Sequence, residues 1–182
     1  MDFSHYSDEP VHLAVDLVNT DEIDGDEIAD LSDLIVFLDR FEGLRSPGLG
    51  PATDTDLARI HQLRDTLRQV FEAPDEATAV ARLNSVLAEN AAIPRLSLHS
   101  GEPHLHFEPV EAMVSSWVGA MTAMGLAGVI VEHGISRFGS CSAANCRDVF
   151  IDTTRNRSRL HCCNTCSTRE AVAAYRKRHA TA

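Results

Sequence analysis

The sequence predicts a mainly α-helical protein that contains one β-hairpin and ends in a small cysteine-rich unit. Three observations lead to this prediction. In several segments before residue 133, apolar residues recur every three or four positions, which is the period of a helix packed on one face. One segment shows the two-residue alternation of a β-hairpin instead. All five cysteines lie within one short stretch, from Cys141 to Cys166.

The composition is that of a folded protein. Of the 182 residues, 44% are hydrophobic and 24% are charged, which is typical of globular domains and not of disordered chains. The opening segment 1–10 is acidic and lacks the basic and apolar regions of a secretory signal. We therefore expect a cytoplasmic protein, in which clustered cysteines are more often metal ligands or redox groups than disulfides.

The first apolar segment leaves its type of secondary structure open, whereas the second predicts a helix. Segment 11–20, "VHLAVDLVNT", is compatible with a short strand or with a first buried helix. Segment 31–41 has helical spacing, with Asp30 or Ser32 as the N-cap and Gly43 as the stop. The sequence therefore predicts one amphipathic helix here and leaves the preceding element open.

Two further helices follow from the same periodicity. The segment 56–71 has apolar residues every three or four positions, and Thr53 or Asp54 can cap its start. After a turn at 73–75, the segment 77–90 repeats the pattern. We expect these two helices to follow each other closely in the fold.

The alternating segment and the run after it complete the first part of the chain. Leu96 and Leu98 alternate with polar residues, 100–103 has turn chemistry, and Leu105 and Phe107 alternate again, which predicts a β-hairpin.

An uncharged run of twenty residues, 112–131, then follows and is long enough to span a bilayer. It contains two serines, a threonine and three glycines, and no lysine or arginine flanks it. These features favour a helix buried inside the protein, and we expect no membrane partner.

The charge is divided unequally along the chain. Residues 1–136 contain 7 Lys and Arg against 24 Asp and Glu, a balance of −17, whereas residues 137–182 contain 9 against 3, a balance of +6. This division predicts an acidic, mainly helical domain over 1–136 and a basic domain over 137–182. The basic part is the candidate for binding a polyanion.

The cysteines form two closely spaced pairs. Cys141 and Cys146 are separated by fifteen residues from Cys162 and Cys166. Zinc in structural sites prefers four such ligands in a tetrahedron, and two paired turns bring them together without a large core. The spacing therefore predicts a structural zinc site, in which Cys163 or His161 could replace Cys162.

The residues around the cysteine pairs predict the form of the finger. Segment 147–152 is typical of a strand, 153–156 of a turn and 157–161 of a returning strand. A helix follows, with Ser167 and Glu170 as its capping box. A knuckle, a hairpin and a helix that carries the last ligand make a treble-clef-like zinc finger.

Basic residues surround the predicted metal site. They are suited to contact a DNA backbone, and they are Arg155, Arg157, Arg159, Arg169, Arg176, Lys177 and Arg178. For the first three, the alternative is that they offset the charge of four thiolates around Zn²⁺. For the last three, the alternative is a solvated helix end.

The region Cys141–His179 resembles the CGNR zinc finger. It has the first cysteine pair, the aromatic-Asp strand, the Arg-Asn-Arg run, the second cysteine pair and the basic helix of that family. It departs from the family at "CSTR", where only Cys166 and Arg169 of the final four signature residues are kept. The resemblance supports Cys162 as the third ligand.

The first part of the chain resembles the ABATE domain, which usually precedes this finger. The matching segments are "LAVDLVNT", "LRDTLRQV" and "RLNSVL". The resemblance implies a mainly α-helical N-terminal domain in a bacterial, stress-induced transcription regulator.

Together these observations predict a zinc-binding regulator. It contacts DNA through residues 137–182, called the finger below, while the acidic residues 1–136, called the body, sense a ligand or form a homodimer. The sequence does not identify a small-molecule effector. The alternative is a finger that serves protein–protein interaction or self-association without DNA. An enzyme is not expected, because four cysteines close the zinc shell and no nucleophile-elbow, phosphate-loop or His-Glu-x-x-His motif occurs.

Overall fold

The computed structural model describes residues 8–45, 48–97 and 104–179. It is mainly helical, as the sequence predicts. The helices are α1 (Asp8–Asn19), α2 (Leu31–Asp39), α3 (Asp54–Phe71), α4 (Glu76–Glu89), α5 (Val114–His133) and α6 (Asn164–His179). Three antiparallel two-stranded sheets pair β1 (Asp21–Glu22) with β2 (Gly25–Asp26), β3 (Ala92–Ser97) with β4 (His104–Pro109), and β5 (Phe138–Ser140) with β6 (Val149–Ile151).

The open question about the first apolar segment is settled by α1, which is a helix. Leu13, Ala14, Leu17 and Val18 are fully buried, and their spacing places them on one helical face. The β1–β2 hairpin that follows α1 is not predicted from the sequence, because its strands have only two residues each.

Helix α2 begins where the sequence predicts and ends earlier. Asp30 is its N-cap and accepts hydrogen bonds from the backbone N–H groups of Ser32 and Asp33. The prediction of Gly43 as the stop is wrong, because the helix ends at Asp39. Phe41 leaves helical geometry, is buried, and packs its ring 5.5 Å from that of Phe37.

Helices α3 and α4 confirm the two helices that the apolar periodicity predicts. Thr53 caps α3, and Asp75 caps α4 by accepting from the N–H of Thr78. The β3–β4 hairpin is also confirmed, with a register that runs from Ala92 opposite Pro109 to Ser97 opposite His104. Its predicted turn at 100–103 lies outside the described residues.

The uncharged segment forms the central helix of the fold. α5 is long and apolar enough to cross a membrane, yet 72% of its most apolar window is buried within the protein. It packs against α1, α3 and α4. A Cβ at Gly125 would lie 2.9 Å from the backbone of Pro10, so only glycine permits the observed approach of α1. The prediction of a helix buried in the protein is confirmed.

One carboxylate joins the starts of two helices. Asp56, in the first turn of α3, accepts hydrogen bonds from the N–H and hydroxyl of Thr53, at 3.0 and 2.7 Å. Its other oxygen accepts from the N–H of Ser115, in the first turn of α5, at 2.8 Å. Burial raises the pKa of Asp56, but the bonds from Ser115 and Thr53 outweigh burial and hold the pKa below its usual 3.8.

We expect Asp56→Ala to lower the free energy of unfolding by about 2–3 kcal/mol, because it removes the carboxylate that completes the capping box with Thr53 and leaves the N–H of Ser115 buried without a partner. Urea titration at neutral pH measures this loss. Asp54→Ala, which removes an exposed charge from the same turn, should cost less than about 0.5 kcal/mol.

The effect of Asp56→Ala should also depend on pH. Because the folded-state pKa is lowered, the stabilisation by Asp56 is complete above its usual pKa and is lost as the pH falls through the folded-state value. The difference between wild type and Asp56→Ala should therefore shrink in acid. An equal loss for the two substitutions at neutral pH would contradict the proposed role of Asp56.

Candidate metal centre

Four thiols converge between the β5–β6 hairpin and α6. The sulfur atoms of Cys141, Cys146, Cys162 and Cys166 all lie within 4.8 Å of one another. The sulfur of Cys162 lies 3.6 Å from those of Cys146 and Cys166. Four sulfurs about 2.3 Å from a zinc ion are about 3.8 Å apart in a regular tetrahedron. The donor set and its spacing therefore fit Zn²⁺.

Two backbone turns position the sulfurs. Cys141 directly follows β5, and its N–H donates to the carbonyl of Asp148, at 2.8 Å, so that the first pair lies in the connection between β5 and β6. Cys166 lies in the first turn of α6. The N–H of Ser142 donates to the carbonyl of Leu160, at 2.9 Å, and ties the first turn to the loop before the second pair.

The finger has a different hairpin from the predicted one. Segment 157–161 contains no strand, so the predicted returning strand is wrong; β6 pairs instead with β5, which lies before Cys141. The carboxylate of Asp152 explains the difference, because it accepts from the N–H groups of Thr154 and Arg159, at 2.7 and 2.9 Å, and closes a tight loop.

The start of α6 also differs from the prediction. The helix begins at Asn164, so Ser167 is inside it and the predicted capping box is wrong. The carboxylate of Glu170 accepts from the N–H of Ala144, at 3.2 Å, and joins α6 to the first cysteine turn instead.

The two alternative ligands stand apart from the sulfur cluster. The thiol of Cys163 is exposed, and its sulfur lies 3.7 Å from that of Cys162 but outside the group of four. The ring of His161 is not in the group either. The structure thus brings together the four cysteines that the spacing and the resemblance single out.

The four thiols need a nearby cation to ionise together. Burial raises the pKa of Cys146 to about 12, and it also raises the pKa values of Cys162 and Cys166. Thiols this close cannot all become thiolates without positive charge, and a divalent ion supplies it. The guanidinium of Arg169 adds to this charge, since its Nη2 lies 3.4 Å from the sulfur of Cys166.

Three of the seven predicted DNA contacts are engaged within the protein. Arg159 donates to the carbonyls of His161 and Cys162 and lies 4.8 Å over the ring of Phe150, so it shapes the loop before the second cysteine pair. Arg157 has a left-handed φ of 52° and donates to Ser136.

Arg169 is the third, because it donates to the sulfur of Cys166 and to the carbonyl of Asn145. Compensation of the thiolate charge is the alternative role that the sequence predicts for Arg155, Arg157 and Arg159. In the structure it is Arg169, on the helix, that lies beside the sulfur cluster.

The other four basic residues are exposed, as Arg157 and Arg169 also are. Arg155 lies in the loop between β6 and α6, and Arg176, Lys177 and Arg178 lie in the last turns of α6. Residues 171–179 are all exposed, so this half of α6 presents its side chains to solvent.

The finger is joined to the helical body by Asn19, a residue for which the sequence predicts no role. The carboxamide of Asn19, at the end of α1, donates to the carbonyl of Val149, at 3.1 Å, and accepts from the N–H of Val149, at 2.7 Å. Val149 and Ile151 belong to the same buried cluster as the body. The only sequence signal for this joint is the Asn-Thr pair that ends the first apolar segment.

A buried arginine strengthens the joint. Arg68 of α3 donates to the carbonyls of Arg147 and Val18, at 2.6 and 2.7 Å. The rings of Phe71 and Phe138 lie 5.0 Å apart across the same junction. The body and the finger therefore share one core, although their charges differ in sign.

A helical body that shares its core with a four-cysteine finger defines the class of this molecule as a zinc-finger protein. Comparison with known families agrees. The ABATE family profile, described as "Putative stress-induced transcription regulator", matches residues 11–133, and the CGNR zinc finger profile matches residues 137–179. The chain belongs to the ABATE family and carries a CGNR zinc finger. No curated protein matches it.

We expect purified protein to contain one zinc ion per chain. Serine at Cys141, Cys146, Cys162 or Cys166 should each reduce the zinc content strongly, because three thiolates leave the tetrahedron incomplete. Cys163→Ser is the matched control and should retain full zinc. Elemental analysis of the five variants measures this, and zinc loss only in Cys163→Ser would overturn the ligand assignment.

Proposed function

We propose that this protein is a zinc-dependent transcription regulator that contacts DNA through its finger, with the exposed half of α6 as the main contact. The observation that carries the proposal is the sequence and exposure of residues 171–179. All nine are exposed, and Arg176, Lys177 and Arg178 follow one another among them. Such donors are suited to phosphate oxygens.

The charge distribution supports this orientation. The acidic part of the chain, with a balance of −17, repels a polyanion, whereas residues 137–182 have a balance of +6. DNA is therefore steered away from the body and towards the finger. Residues 171–179, the exposed half of α6, contain no Asp or Glu.

The internal bonds of the arginines restrict the DNA-binding surface. Arg157, Arg159 and Arg169 hold the finger together, so we assign them a structural role. We assign the phosphate contacts to Arg176, Lys177 and Arg178 because they follow one another in the exposed half of α6, and to Arg155 because it is exposed in the loop before that helix. A helix with side chains is about 10–12 Å across, which the major groove accommodates.

Zinc, when bound, supplies a structural cross-link and no reaction. Cys166 is the only buried residue of α6, so the direction of this helix depends on the sulfur cluster. Four thiolates also leave no open position on the metal. We therefore propose a non-catalytic protein that acts in the cytoplasm, where thiols stay reduced.

We expect DNA affinity to fall steeply with salt, because each phosphate contact releases counterions. The double variant Arg176→Gln, Lys177→Gln should bind more weakly and should lower the slope of log K against log salt by about 2. Fluorescence anisotropy with labelled duplexes at several salt concentrations measures both effects.

A matched control is Arg40→Gln, which removes a cation of the body that is paired with Asp16. This variant should leave the salt slope unchanged. Absence of duplex binding by zinc-loaded protein, or equal losses for the two variants, would contradict the proposal.

A second candidate is a finger that binds an acidic protein surface, including the body of a second copy. It is favoured by the exposed apolar side chains of Val172 and Tyr175 on α6, which are 42% and 58% exposed. Light scattering across ionic strength separates the two functions. A dimer that salt dissociates would support self-association, and a monomer under all conditions would exclude it.

A further inference from the structure

Strand β6 has two edges, and only one of them is paired with β5. Phe150 pairs with Gly139. On either side of this pair, the backbone N–H of Asp152 donates to the carbonyl of Arg137, and the backbone N–H of Cys141 donates to the carbonyl of Asp148. Backbone groups alternate in direction along an antiparallel strand. The N–H and C=O groups of Val149 and Ile151 therefore point to the opposite edge, which faces α1.

A side-chain amide already occupies the first of these two positions. The carboxamide of Asn19 pairs with both backbone groups of Val149, as a neighbouring strand would. Ile151 is two residues further on, about 6.8 Å along the strand. Within the described ranges, its N–H and C=O have no hydrogen-bond partner, although the residue is only 8% exposed. A backbone pair that no protein group satisfies is left to water or to a ligand.

A cleft lies at this free position. It has a volume of about 420 Å³ and separates α1 from the finger. This volume is within the range of sites for small molecules. The residues that matter for its chemistry are Val11, His12, Val15, Ile151, Thr153 and Arg159.

We propose that this cleft binds a small molecule that bears a primary carboxamide or a ring cis-amide. Its N–H donates to the carbonyl of Ile151, and its carbonyl accepts from the N–H of Ile151. An amide of this geometry presents a donor and an acceptor on the same side, as the Asn19 carboxamide does at Val149. The aliphatic side chains of Val11 and Val15 face the apolar remainder of the ligand.

The length of the free edge selects a single amide over a peptide strand. Asn19 occupies the position before Ile151, and β6 ends at Ile151. Only one donor–acceptor pair is therefore open. A bound molecule contacts α1 and β6 together, so it stabilises the joint between body and finger, whether or not the finger contacts DNA.

The test uses the zinc-loaded full chain and benzamide as the probe. In ¹H–¹⁵N NMR spectra, benzamide should cause a saturable downfield shift of the Ile151 amide and slow its hydrogen exchange. N,N-dimethylbenzamide has the same ring and carbonyl but no N–H donor, and it should bind at least tenfold more weakly. Equal binding of the two probes, or no saturable shift at Ile151, would overturn the proposal.

A pair of tryptophan variants tests the location. Val15→Trp fills the cleft and should abolish the shift at Ile151. Val36→Trp lies on α2 at a position that is 66% exposed and should leave the shift unchanged. Benzamide binding that persists in a folded Val15→Trp protein would place the ligand elsewhere and would overturn the assignment.

Discussion

The pairing of Asn19 with Val149 is the interaction on which the arrangement of the molecule depends. A helix ends at Asn19, and its side chain completes the edge of a strand 130 positions later in the chain. A two-stranded hairpin and one helix bury little core of their own. The finger solves this problem by placing Val149 and Ile151 in the core of the body.

The metal centre and the body support different parts of the finger. The body holds β5 and β6, through Asn19, Arg68 and the contact between Phe71 and Phe138. The sulfur cluster holds the cysteine turns and the start of α6, which no described helix of the body covers. Loss of the metal should therefore affect α6 first and leave the hairpin docked, which separates the proposed DNA contact from the shared core.

The opposite charges of the two regions meet at a few defined pairs. Arg147 of the finger forms an ion pair with Asp21 of the body, at 3.0 Å, and Arg68 lies beside both. Burial lowers the pKa of Arg68, and the nearby Arg147 adds to this effect. Arg68 contributes to the junction through its hydrogen bonds to backbone carbonyls. The nearby carboxylate of Asp21 compensates for its buried charge.

Much of the body could be predicted from the sequence, because α3, α4 and α5 bury one face or the whole helix and their apolar residues record this. The four-sulfur cluster was also predictable, since ligand spacing reflects the turns that carry the sulfurs. The sequence predicts a strand at 157–161 because alternating arginines have the period of a strand, while the carboxylate of Asp152 imposes a loop. The joint at Asn19 leaves no periodic signal, because it consists of one side chain and a distant backbone.

The internal roles of Arg159 and Arg169 were equally hidden. In sequence they resemble any other basic residue of the finger, and only their distances to Phe150 and to the sulfur of Cys166 separate them from the other cations. Spatial contacts, and not residue types, decide between a structural and a DNA-binding arginine here.

The most direct test of a shared core is native-state hydrogen exchange of the zinc-loaded protein, which compares the amides of Phe150 in the finger and Leu67 in the body. If Asn19 and the buried side chains join the two regions as one cooperative unit, both amides should exchange only through global unfolding, with the same dependence on denaturant. Exchange of Phe150 through a separate opening of much lower free energy, while Leu67 stays protected, would contradict this account.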